Sequence, residues 1–124
     1  MDAIELHPVG VVHREDDSAE AGRCTIEVRA DLTDAMLGLE PGDRLQVLFW
    51  MSRLDDSHRQ ILQCHPRGDR SRPERGVFAL RSPMRPNPIG STLVEVKQVQ
   101  GNRLVVDGLD AFDGTPVIDL KIAG

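Results

Sequence analysis

Tyrosine is missing from this chain of 124 residues, and Phe49, Trp50, Phe78 and Phe112 are its only aromatics. The core therefore has to rest on Val, Leu and Ile, and a surface that captures single strands by stacking bases on rings is disfavoured. Cysteine is almost as scarce. Cys24 and Cys64 are too few to staple a small scaffold, which points to a reducing compartment without disulfides. No apolar run approaches the roughly 20 residues that a membrane helix needs. The N-terminus, Met1-Asp2-Ala3-Ile4-Glu5, carries acid where a secretory or organellar signal carries base. These absences lead to the expectation of a cytoplasmic protein with no membrane segment. Its length is close to the commonest size of a single domain, so one domain over residues 1–124 is expected.

Charge is abundant and unevenly spread. The net charge is -5, yet Arg53 to Arg85 holds eight arginines against four acids, a net of +4, and leaves -9 on the remainder. A basic strip on an acidic body suits an anionic partner, with RNA or a phosphate-bearing ligand foremost. It also suits a solvated Arg-rich loop paired with acids elsewhere.

The pattern along the chain is mostly that of short strands. Ile4 to His13 reads as a strand interrupted by Pro8. Arg14 to Gly22 reads as a loop, and Cys24 to Arg29 as a half-buried strand with period-2 alternation. Asp31 is placed to cap a short helix through Leu39, ended by Pro41-Gly42. Arg44 to Met51 reads as a buried strand and Ile61 to Cys64 as a short one. His65 to Arg75 is nearly devoid of apolar residues, hence a long exposed loop, and Gly76 to Leu80 resumes as a strand. Three prolines make Arg81 to Gly90 a stiff, non-helical crossover. Thr92 to Val99 and Leu104 to Leu109 flank Gly101-Asn102 as a hairpin, and Val117 to Ile122 follows the Asp113-Gly114 turn. Seven or eight short strands with one short helix point to a mainly β fold, a small closed antiparallel barrel that disposes of its edges.

Two segments carry more punctuation than folding demands. Arg81-Ser82-Pro83-Met84-Arg85-Pro86-Asn87-Pro88-Ile89-Gly90 holds polar side chains on a stiff backbone, as a rigid binding loop does and as a turn-rich connector also does. Leu109 to Asp119 carries acids at 110, 113 and 119, suited to a ribose or an ammonium group or to Asx turns. A metal site from Cys24, His58, Cys64 and His65 is the weakest candidate, because the side chains of neighbouring Cys64 and His65 point to opposite faces of a strand. No metal is expected.

RSPMRPNPIGSTLVEV, followed after eleven residues by GLDAFDGTPVIDLK, resembles the signature of the TsaA-like family, of the YaeB or TrmO type. The likeness extends upstream through GVFALRSP and more loosely through LGLEPGDRLQVLFW and PVGVVH. The resemblance implies a β-barrel that binds S-adenosylmethionine near a homodimer interface and methylates the exocyclic amine of a modified adenosine in tRNA. It places cofactor contacts on Arg81, Leu109 and Asp110. Arg85, Asn87 and Asp113 match the motifs as well. Within the implied reaction, Asn87, followed by Pro88, is the candidate catalytic residue, accepting a hydrogen bond from the amine. Arg67, Arg70, Arg72 and Arg75 are the candidate contacts to RNA phosphates.

The chain also departs from that family pattern. The Pro-Arg-Gln element of the first loop has no counterpart in Glu15 to Arg23, and Ser52 stands where a histidine is common. The Asp-Ile-Lys-Pro-Tyr continuation reads Asp119-Leu120-Lys121-Ile122-Ala123-Gly124, so the C-terminal extension of longer members is expected to be absent. These departures favour a second reading, a non-catalytic module that binds S-adenosylmethionine.

Overall fold

Alternation of apolar and polar residues along the chain turns into strands whose inward side chains share one core. The computed structural model describes residues 1–124, which fall into two units, residues 1–50 with 91–124 and residues 51–90. The strands are β1 (Gly10–His13), β2 (Gly22–Val28), β3 (Arg44–Trp50), β4 (Gln63–Cys64), β5 (Arg75–Gly76), β6 (Ile89–Gln100), β7 (Arg103–Leu109) and β8 (Pro116–Ile122). Six of them close an antiparallel barrel in the order β1-β2-β7-β6-β3-β8, with β8 returning to β1 through Gly10 opposite Val117 and Val11 opposite Pro116. Closure removes the unpaired edges that an open sheet of this size would expose.

The barrel core is aliphatic, as the shortage of aromatics requires. Cys24, Ile26 and Val28 of β2, Leu45, Val47 and Phe49 of β3, and Leu104 and Val106 of β7 all point inward with period 2. At the end of β7 the phase changes. Gly108 adopts φ +98°, a conformation costly for residues with a Cβ, and the inward position moves from 106 to 109. Leu109 is thereby buried and Asp110 is exposed at the strand end. The β6–β7 hairpin turns at Gly101-Asn102 as the sequence indicates, with Gln100 opposite Arg103. Both cysteines are free thiols, and no helix is long and apolar enough to cross a membrane.

Several local expectations are corrected. Only Gly10 to His13 of the 4–13 run is a strand, and Met1 to Pro8 is exposed. Pro8 has no N–H to give a ladder, and the Val9 N–H is the first to reach β8, at the Val117 carbonyl (2.8 Å). The helix expected over 31–39 is instead a tight 3-10 turn, Ala30–Met36, flanked by Arg29 and without a side-chain cap. Asp31 is inside it, not at the capping position, and its carboxylate pairs with the Arg29 guanidinium (2.8 Å). Met36 is the one buried side chain of that turn.

In the second unit, the strand expected over 76–80 shrinks to β5, and Val77–Ala79 forms a 3-10 turn. The only α-helical turn of the chain, α1 (Asp56–Arg59), lies in a stretch whose helical signal is local rather than periodic. Asp55 caps it, accepting from the N–H groups of Ser57 (3.0 Å) and His58 (3.3 Å), while His58 Nδ1 accepts from the Asp55 N–H (3.3 Å).

Candidate functional site

Within the barrel, the end of β7 and the loop after β1 meet. Asp110 accepts a hydrogen bond from the Thr92 hydroxyl (2.5 Å) and is otherwise exposed. Next to it, Ala111 and Thr115 are buried, and the Gly114 N–H donates to the Val12 carbonyl (2.8 Å), which pins the 110–114 turn to β1. The Arg14 N–H donates to Asp113 (2.9 Å). The Arg14 guanidinium donates to the carbonyls of Ala111 and Glu20 (3.0 Å each) and to Asp16 (2.7 and 3.3 Å). Its side chain is only 6% exposed. The Asp16 carboxylate raises the Arg14 pKa and is itself held below its usual range by Arg14, so both remain charged at neutral pH. Beneath this loop, the Cys24 thiol lies 3.8 Å from the Leu109 carbonyl, and burial pushes its pKa up.

The three acids thus separate by use. Asp113 holds a backbone N–H, and Asp119 accepts from the Leu120 N–H (2.9 Å) and pairs with Lys121 (3.1 Å). Asp110 keeps an exposed carboxylate. Leu109 has a side chain with no exposure, so what it can offer a ligand is its main chain.

The second unit carries the other motif residues. Arg85 is spent on the backbone, donating to the carbonyls of Val77 (3.1 Å), Leu80 (3.3 Å) and Ser82 (3.1 Å). Arg59 donates to the Pro86 carbonyl (2.7 Å) and to Asn87 Oδ1 (3.3 Å), and so orients the Asn87 amide. Arg81 and Asn87 are exposed. Arg67, Arg70, Arg72 and Arg75 are exposed; the first three lie on the segment between β4 and β5, where His65 Nδ1 donates to the Arg72 carbonyl (2.7 Å), and Arg75, expected in a loop over 65–75, instead opens β5. Arg14, Thr92 and Arg59 have no counterpart among the residues expected from sequence. The single signal for Arg14 is a lone arginine between a strand and an acidic loop.

A family model described as the tRNA-methyltransferase O N-terminal domain matches residues 12–122. The chain belongs to that family. A probable S-adenosyl-L-methionine-binding protein of Methanocaldococcus jannaschii is 39% identical over 118 residues, covering 94% of this chain and 90% of that protein. A mouse tRNA (adenine(37)-N6)-methyltransferase is 30% identical over 112 residues, 87% of this chain and 26% of the mouse protein. The crystal structure of TrmO from Pseudomonas aeruginosa superposes with a TM-score of 0.73 at 27% identity, covering 99% of this chain. This chain spans most of the archaeal relative but 57% of that TrmO chain. The fold common to the TrmO N-terminal domain is therefore the barrel described above. The segment after β1, where the sequence lacks the Pro-Arg-Gln element, is in this member of the family the loop organised by Arg14.

Proposed function

We propose that this protein binds S-adenosylmethionine and transfers its methyl group to the exocyclic amine of a modified adenosine in tRNA. The observation that carries the reading is the end of β7, where the phase change at Gly108 presents an exposed Asp110 carboxylate steadied by Thr92. That acceptor fits the cofactor, because a carboxylate accepts from a ribose hydroxyl pair or an ammonium group. Arg81 is assigned to the cofactor's carboxylate, and Leu109 to a main-chain contact, by the motif resemblance. When bound, S-adenosylmethionine supplies an electrophilic methyl on a sulfonium. The protein's part is then mainly positioning. Asn87 Oδ1, already oriented by Arg59, would accept from the substrate amine and aim its lone pair; the C–N bond would form as the methyl–sulfur bond breaks, leaving S-adenosylhomocysteine, and the extra amine proton would pass to solvent.

Arg67, Arg70, Arg72 and Arg75 meet RNA phosphates in this reading. Changing all four to Ser should weaken tRNA binding and flatten its salt dependence, since each lost contact releases fewer counterions. A homodimer that walls the cofactor from water, and residence in the cytoplasm with its tRNA, belong to the same proposal. Sedimentation giving a monomer well above micromolar concentration would remove the first of these. The second reading, a non-catalytic S-adenosylmethionine-binding module, is supported by the altered first loop. Calorimetry with the cofactor, followed by incubation of the protein with methyl-labelled cofactor and tRNA, separates the outcomes. Binding with label transferred to tRNA supports the enzyme, binding without transfer supports the module, and no binding at millimolar cofactor defeats both. Asp110→Ala should weaken cofactor binding about tenfold or more.

A further inference from the structure

We propose that Arg14 is a positioning residue that clasps the 15–21 loop to the end of β7, and that cofactor affinity depends on this clasp although Arg14 does not itself touch the cofactor. The inference rests on the assignment of the cofactor to Leu109 and Asp110. It starts from an arginine that is almost fully covered yet fully partnered. One guanidinium bridges the carbonyl of Ala111, one residue beyond Asp110, to the carbonyl of Glu20 on the loop. The Asp16 carboxylate, reached through Nε and Nη2, neutralises it from the loop side. The Arg14 N–H adds a bond to Asp113 at the far end of the same turn. Removing the guanidinium strips both carbonyls of a donor and frees the loop from the turn. The carboxylate of Asp110, steadied otherwise by the Thr92 hydroxyl, would then lose the rigid main chain on which it is mounted.

Lysine is a poor replacement, because one ammonium cannot span two carbonyls and a carboxylate in the planar fork geometry that arginine provides. Cys24 lies at the same end of the barrel, 2% exposed and against the Leu109 and Gly22 carbonyls. The thiol therefore reports local opening where β2 meets the end of β7. Its reaction with a small disulfide reagent reads opening independently of methyl transfer.

The test uses the full chain with Cys64→Ser, which leaves Cys24 as the only thiol, and compares it with the same protein carrying Arg14→Lys. The expected result is that S-adenosylmethionine binds the parent and slows Cys24 modification. Arg14→Lys, still folded by circular dichroism, binds about tenfold more weakly or worse and reacts faster at Cys24. If Arg14→Lys does not fold, Asp16→Asn is the milder probe, since it removes the loop-side anchor from an exposed position, and a smaller loss of cofactor affinity is the expected readout. A parent that binds no cofactor overturns the cofactor reading and this inference with it. A parent that binds, alongside a folded variant with parental affinity, overturns the clasp and leaves the cofactor reading standing. A variant whose thiol is more reactive but whose affinity is unchanged shows a role confined to the loop's stability, and also overturns the proposal.

Discussion

Gly10→Ala is a sharp test of the barrel's closure. Gly10 faces Val28 of β2 on one side and Val117 of β8 on the other. A Cβ built there would lie 2.6 Å from the Glu27 carbonyl oxygen and 3.3 Å from both the Glu27 carbonyl carbon and the Val28 Cα. All three are backbone atoms, so no side-chain rotation relieves the clash. β1 would have to move away from β2 by several tenths of an ångström. Opposing that movement are the Val9 N–H bond to the Val117 carbonyl and the Arg29 N–H bond to the Val9 carbonyl, both 2.8 Å. Overpacking of this kind costs about 1–3 kcal/mol. In a chain of this length 1 kcal/mol corresponds to about 4 °C, so the melting temperature should fall by about 4–12 °C. Gly76→Ala is the control. Its nearest neighbour would be the Leu62 carbonyl at 3.9 Å and its φ is -62°, so alanine fits without strain. Scanning calorimetry or a thermal melt followed by circular dichroism reads both. If Gly10→Ala melts within about 2 °C of the parent while remaining folded, the account of a tight β1–β2 contact is wrong.

Leu109→Ala should cost about 2–5 kcal/mol in urea denaturation, since its side chain has no exposure. Cofactor affinity, measured well below the melting point, should stay near parental if the contact is made by main chain. Arg85→Ala removes the donor to three carbonyls of the 77–82 segment and should destabilise it by about 1–3 kcal/mol, seen as faster amide exchange at Leu80. The acid limb of the stability curve should be set by carboxylates whose folded pKa values are lowered, namely Asp16 by Arg14, Asp31 by Arg29, Asp55 by Ser57, Asp69 by Ser71 and Glu95 by Lys97. A lowered folded pKa contributes stability above the unfolded values of 3.8 and 4.5 that is lost as pH falls through the folded ones, so urea midpoints should decline below about pH 4.5. Cys24 runs the other way. Its raised pKa contributes stability that is complete below 9.0 and declines as pH rises towards the folded value, and Cys24→Ala should flatten that alkaline decline.

Period-2 alternation, Gly-Asn and Asp-Gly turns and the lack of any long amphipathic helix are local properties, and they were enough to read an antiparallel barrel, its hairpin and its stiff proline crossover from the order of residues. The two long motifs were legible for the same reason, being contiguous. Boundaries that depend on what an element packs against were not. The 30–36 segment has helical spacing, yet it closes as a 3-10 turn with no side-chain cap, Asp31 standing inside it and paired with Arg29. Residues 77–79 are β-prone, yet Arg85, eight residues further along the chain, gathers the carbonyls at 77, 80 and 82 into a turn. The spacing of the acids at 110, 113 and 119 likewise carries no information on which is used structurally. That was decided by residues brought from elsewhere in the chain, Arg14 to Asp113 across 99 positions and Thr92 to Asp110 across 18. Patterns repeated along a chain are encoded locally and can be read locally. The partner that satisfies a given buried carbonyl or carboxylate is chosen only when strand closure brings distant residues within hydrogen-bonding distance.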